Sequence, residues 1–171
     1  ASVFGFSYAV LLPAYASDVL KVDEAGFGMM NAAVGIGALT GSVTMASMGR
    51  GGKKGGLLTF GSLLFPLALL GLALARNYYV ALVCLALVGL GFVSQNVLAN
   101  TLVQTLAPDE LRGRVMSFYS LMFFGTAPFG SLLAGALAQR LGSSAAIVIG
   151  AAVTLMFALG VIIFAPVVRR S

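Results

Sequence analysis

Five apolar stretches of at least 21 residues, none containing a charged side chain, cover 26–48, 55–75, 78–107, 115–138 and 143–166. A helix rises about 1.5 Å per residue and the hydrocarbon core of a bilayer is about 30 Å thick, so each stretch is long enough to cross it. Lipid is therefore the solvent in which this chain folds. A spanning segment must satisfy its backbone hydrogen bonds internally, which for separate stretches of this length means α-helix. A sixth stretch, 1–17, is slightly short and begins without a Met or a basic flank, as if the chain had been cut inside a helix. The pattern predicts an all-α membrane protein with six transmembrane helices and a missing N-terminal part, its partner surface being the lipid bilayer.

Composition excludes several function classes. The chain is 60% hydrophobic and 9% charged, with mean hydropathy +1.03, whereas soluble chains carry roughly a quarter charged residues. Its net charge of +5 is scattered among short inter-helix loops, so no nucleic-acid-binding face is expected. Cys84 is the only cysteine and falls inside the fourth span, and there is no histidine. A disulfide framework, a thiolate or histidine metal site and a Ser-His or Cys-His pair are all absent, and no cofactor is implied. The first span lacks the basic leading segment of a signal peptide.

Orientation follows from the loops. Counting from the first helix, the linkers after the second and fourth helices and the tail share one side, with Arg50, Lys53, Lys54, Arg112, Arg114, Arg169 and Arg170. The other side holds Lys21, Arg76 and Arg140 with the acids Asp18, Asp23 and Glu24. Basic residues in short loops favour the cytoplasm. This split predicts a multi-pass protein of the cytoplasmic (inner or plasma) membrane with both ends of the chain inside. Tyr15, Tyr78 and Tyr79 then fall near the outer interface, where amphipathic rings are stable.

Helices in lipid associate through small residues and polar contacts. On the fifth span Ser117, Ser120, Ala127, Ser131, Ala134, Gly135 and Ala138 fall within an arc of about 100°, a packing seam interrupted by Phe124. The second span carries a stripe of Asn31, Gly35, Ala38 and Ser42, and a separate Gly37-x-x-x-Gly41 pair on another face. The fourth span differs. Taking Asn96 as zero, Asn100, Gln104, Thr101, Ser94 and Thr105 fill the next 180° or so, opposite a leucine-rich arc. That row reads either as the wall of a cavity open to the cytoplasm or as a set of interhelical hydrogen bonds. Gln95, inside the apolar arc, reads as an interhelical bond. Pro66 and Pro128 sit near the middles of the third and fifth spans, where each removes a backbone bond and favours a kink. In the linker at 108–114, Asp109 and Glu110 fit the first turn of a short helix, with Arg112 and Arg114 heading the fifth span.

The strings Asn100-Thr-Leu-Val-Gln104, Pro108-Asp-Glu-Leu-Arg-Gly-Arg-Val-Met-Ser117 and Gly125-Thr-Ala-Pro-Phe-Gly-Ser-Leu-Leu-Ala-Gly135 resemble the C-terminal half of a major facilitator superfamily transporter, in the branch of the enterobactin exporter and macrolide efflux pumps. Leu11-Leu-Pro-Ala-Tyr-Ala-Ser-Asp-Val-Leu20, Gly35-Ile-Gly-Ala-Leu-Thr-Gly41 and Gly49-Arg-Gly-Gly-Lys-Lys54 also resemble that branch. The resemblance implies a six-helix half built as an inverted three-plus-three repeat, completed by an N-terminal half. It implies that the first, second, fourth and fifth helices line a cavity for a small-molecule substrate. Asn96, Asn100, Gln104, Thr101, Asn31, Tyr119 and Phe124 are the cavity candidates. Arg50, Asp109, Glu110, Arg112 and Arg114 are the cytoplasmic-loop and gating candidates, although the 49–54 linker lacks the acidic residue often present there.

The function this implies is secondary export of a small amphiphilic molecule, such as a siderophore or drug, by alternating access. An intramembrane serine protease would need a histidine base, which the chain lacks. A self-contained six-helix channel or assembly subunit is the remaining alternative, favoured if the natural chain begins near Ala1.

Overall fold

The computed structural model describes residues 7–47 and 54–164, with side-chain positions over 8–47 and 61–160 apart from Leu98 and Leu102. α1 spans Ser7–Tyr15 and runs on through a π-helical turn, Ala16–Leu20. Lys21 closes that turn in the left-handed region, φ 51°, with its N–H donating to the Ala16 carbonyl. α2 spans Glu24–Ser47, α3 Lys54–Leu74, α4 Tyr78–Leu106, α5 Arg112–Leu141 and α6 Ser143–Phe164. No strand occurs among the described residues.

The helix ends follow from local chemistry. The Asp23 carboxylate accepts from the Gly26 N–H at 2.9 Å, and the Asn77 side chain accepts from the Tyr79 N–H at 2.9 Å, so each caps the helix that follows. α4 stops where Pro108 restricts Ala107 to extended backbone, ψ 129°. α5 begins before its apolar run and ends after it, carrying Arg112 and Arg114 in its first turn and Arg140 in its last. Among the described residues, Glu24–Ser47, Tyr78–Leu106, Arg112–Leu141 and Ser143–Gly160 are long and apolar enough to cross a membrane, while Tyr8–Leu20 and Gly61–Leu74 form shorter apolar helices. The chain is thus an all-α, multi-pass membrane protein.

Packing divides the helices into two sets. α4 packs against α2 and α3, α1 packs against α5 and α6, and α3 meets α6 between the sets. Leu69 and Leu72 of α3, Leu85 and Val88 of α4, and Ile147 and Ala151 of α6 are buried there. The α2/α4 crossing is backbone to backbone. A Cβ on Gly37 would lie 1.8 Å from the Ala86 carbonyl oxygen, and one on Gly89 would lie 2.1 Å from that of Val34. Only glycine lets the helices approach so closely.

The seams differ in part from those the sequence suggests. On α2 the buried face is the Gly37 and Gly41 pair, whereas Asn31 and Gly35 are exposed and a Cβ on Gly35 would meet nothing. On α5 only the C-terminal part of the small-residue seam is used, with Ala134 buried and Ser131 and Ala138 half-buried but Ser117 and Ser120 exposed. Small residues permit close approach, but the neighbour's shape decides which stripe receives it. Large apolar side chains cover the outer faces, among them Ile36, Leu39 and Val43 on α2 and Phe118, Leu121, Phe129 and Leu132 on α5.

Tyr15 is a buried tie between helices rather than an interfacial anchor. Its ring is fully enclosed, and its hydroxyl faces the carbonyls of Leu72 and, at 2.6 Å, Ala75. The Ala75 carbonyl, just past the end of α3, has no donor within that helix and receives this hydroxyl, while the Leu72 carbonyl also accepts from the Ala75 N–H at 3.0 Å. Tyr78 is half-buried and donates to the Gly26 carbonyl at 3.0 Å, while Tyr79 remains largely exposed.

Candidate functional site

A cleft of about 240 Å³ opens between α3, α4 and α5, lined by Phe65, Phe92, Gln95, Asn96, Ala99, Tyr119 and Phe123. α4 supplies four of these at positions i, i+3, i+4 and i+7 from Phe92, which is one face of a helix. α5 supplies Tyr119 and Phe123, one turn apart, and α3 supplies Phe65 from the buried turn that also contains Pro66. The cleft exists because α4 and α5 touch at few points, whereas α3 packs closely behind α4.

Two aromatic walls bound it. Phe65 and Phe92 pack with centroids 5.7 Å apart at 44°, with Tyr8 edge-on to Phe65 from behind at 6.1 Å. Tyr119 and Phe123 stack nearly parallel at 6.2 Å and 21°. No lining side chain is charged. The Asn96 amide donates to the Phe92 carbonyl at 2.9 Å, which leaves its carbonyl oxygen as an acceptor. Gln95 and the Tyr119 hydroxyl make no hydrogen bond among the described residues. The site thus offers flat apolar surface and three polar groups with bonding capacity to spare.

Of the cavity candidates, the cleft brings together Asn96 and Tyr119. Asn100 is half-buried, accepts from the Gln104 amide at 2.6 Å along α4, and lies outside the lining of the cleft. Thr101 is exposed and donates to the Val97 carbonyl at 2.8 Å. Asn31 is exposed on α2 and donates to the Phe27 carbonyl at 3.1 Å. Phe124 is 66% exposed, packs edge-on to Phe123 at 5.4 Å and lies outside the lining. Both prolines sit within continuous helices, Pro66 fully buried and Pro128 exposed.

The 108–111 linker is a turn rather than a first helical turn, with the Leu111 N–H donating to the Pro108 carbonyl at 3.0 Å. Pro108 ends α4 and the helix resumes only at Arg112. This places Asp109 to pair with Arg112 at 2.6 Å, and Arg112 Nε also donates to the Gln104 carbonyl at 3.1 Å. Arg112 therefore bridges the end of α4 and the start of α5. Glu110 and Arg114 are exposed. Arg50 lies outside the described residues.

The sequence pattern does not single out Phe65, Phe92, Ala99 or Phe123, and Gln95, which it reads as an interhelical bond, lines the cleft instead. The spacing of Phe92, Gln95, Asn96 and Ala99 does mark one face, centred about 50° behind Asn96. That face is mostly apolar and lies on the flank of the polar row. Its polar groups are too few to mark it as a cluster.

Residues 1–170 match the family described as transmembrane secretion effector. The multidrug efflux pump Tap of Mycolicibacterium fortuitum is 31% identical over 164 residues, covering 95% of this chain and 39% of that protein. Tap of Mycobacterium tuberculosis strain H37Rv is 29% identical over 134 residues, covering 78% of this chain and 32% of the pump. The enterobactin exporter EntS of Shigella flexneri is 29% identical over 128 residues, covering 75% of this chain and 31% of the exporter. The chain thus spans less than two-fifths of the length of these curated relatives. They are transporters and not enzymes. The chain belongs to the transmembrane secretion effector family within the major facilitator superfamily, in its enterobactin-exporter and multidrug-efflux branch.

Proposed function

We propose that this chain is the C-terminal six-helix half of a secondary exporter that moves a small amphiphilic molecule, a siderophore or a drug, out across the cytoplasmic membrane by alternating access. The observation that carries this is the cleft on α4, where Asn96, Gln95 and Tyr119 present uncommitted polar groups among aromatic rings. A passive packing surface in lipid has no need of such groups. The names of the relatives supply the direction and the kind of cargo.

The inverted three-plus-three repeat is supported by the pairing of the helices. Exchanging α1, α2 and α3 for α4, α5 and α6 turns the packing of α1 on α5 and α6 into that of α4 on α2 and α3 and returns α3 on α6 to itself, while the α5/α6 contact has no comparable counterpart between α2 and α3 among the described residues. The broad apolar faces of α2 and α5 are available to the N-terminal half and to lipid. With both ends of the chain inside, the Arg112 bridge lies on the cytoplasmic side.

Coexpression tests the reading. This chain alone is expected to transport nothing, and pairing it with its first half should restore efflux of a drug panel. Substrate-specific transport by this chain alone would instead make it a self-contained six-helix channel.

A further inference from the structure

We infer that the α3/α4/α5 cleft takes one uncharged aromatic ring system of the exported molecule, held between its two aromatic walls, while any charged group on that molecule stays outside. This deepens the exporter reading and rests on it. At about 240 Å³ the cleft is smaller than the roughly 300–1,000 Å³ that enclose a drug-sized ligand, so it receives a part of one. Its walls select the part. Phe65 with Phe92, from α3 and α4, and Tyr119 with Phe123, from α5, put four aromatic rings in the lining, and a flat ring packs favourably on such faces and edges. Gln95, Asn96 and the Tyr119 hydroxyl can bond a phenol, carbonyl or amine carried on that ring. An acyl chain gains nothing from such groups.

The absence of charge in the lining sets the second half of the rule. An ion entering this site would lose its hydration without meeting a counter-charge. The charges described on the α4/α5 connection, Asp109, Glu110, Arg112 and Arg114, begin beyond the end of α4, with Arg112 seven residues or about two helical turns before Tyr119. A charged substituent therefore remains toward the linker while the ring enters.

The test uses the full-length protein with its other cysteines replaced and Ala99→Cys introduced in the cleft. The rate of modification by methyl methanethiosulfonate is measured with N-phenyl-1-naphthylamine or with 8-anilino-1-naphthalenesulfonate, which share one ring skeleton and differ by a sulfonate. At about ten times its Kd the neutral probe should slow modification about tenfold, and the sulfonate should leave it nearly unchanged. Leu132→Cys, on the exposed face of α5, should respond to neither. Equal protection by the sulfonate, or protection by dodecanol in place of the ring, overturns the proposal. So does absence of protection in a protein that still exports drugs, an outcome that leaves the exporter reading standing. Absence of export for every drug tested overturns that reading itself. If Ala99→Cys lowers expression, Phe123→Trp in a full-length protein whose other tryptophans are replaced provides a second reading, this chain having none. Energy transfer from that Trp to the neutral probe is expected, and none would overturn the proposal.

Discussion

Thr40, Thr44, Thr101, Thr105, Thr126, Ser131 and Thr154 each donate to the carbonyl four residues earlier, the bond by which a hydroxyl is satisfied inside a helix surrounded by lipid. Gln104 likewise donates locally, to the Asn100 side-chain carbonyl one turn earlier. A polar row on a helix therefore does not define a cavity wall. Asn100→Leu is expected to lower efflux no more than it lowers the amount of protein, measured by immunoblot against transport rate. Tyr15 is polar and committed across helices, and Tyr15→Phe should cost about 1–2 kcal/mol by stranding the Ala75 carbonyl just past the end of α3, the Leu72 carbonyl keeping the Ala75 N–H. The melting temperature should fall while transport per molecule holds. Ser94 is the opposite case. Its hydroxyl is buried against Gly41 and Gly61 and has no partner, so Ser94→Ala should preserve or raise thermal stability.

Among whole elements, the α2/α4 crossing responds most sharply to volume. Gly37→Ala places a methyl group where the Ala86 carbonyl already stands, and separating the helices to admit it should cost at least the roughly 1–3 kcal/mol of an overpacked core. Gly35→Ala, two residues away but facing open space, should be nearly neutral. Comparing thermal unfolding of the two in the full-length protein checks the contrast. Both glycines belong to recognisable stripes, so the sequence identifies α2 as a close-packing helix. It does not reveal which stripe is used, because that depends on where Ala86 and Gly89 of α4 fall. The helices themselves are legible because hydropathy, Asp23, Asn77 and Pro108 agree on where they start and stop. The cleft is less so. Asn96 and Tyr119 stand out as polar groups in spans, but Phe65 enters from a third helix that no local pattern connects to them.

For the whole molecule, the basic loops predict the topology. A tag placed after Ser171 should be protected in intact cells, and one inserted near Asp23 should be accessible. Labelling of the tail without permeabilisation would reverse the orientation. We propose that cargo is handled at the cleft, a reading supported by its uncharged aromatic lining with spare polar groups in a chain of a transporter family. The most direct test of that claim is the efflux of two dissimilar substrates by the full-length protein carrying Asn96→Leu, each normalised to protein level. The loss is expected to persist after normalisation and to differ between the substrates, because Asn96 meets each molecule differently. Equal losses that vanish on normalisation would mean that Asn96 only holds α4 in place, and would contradict that claim.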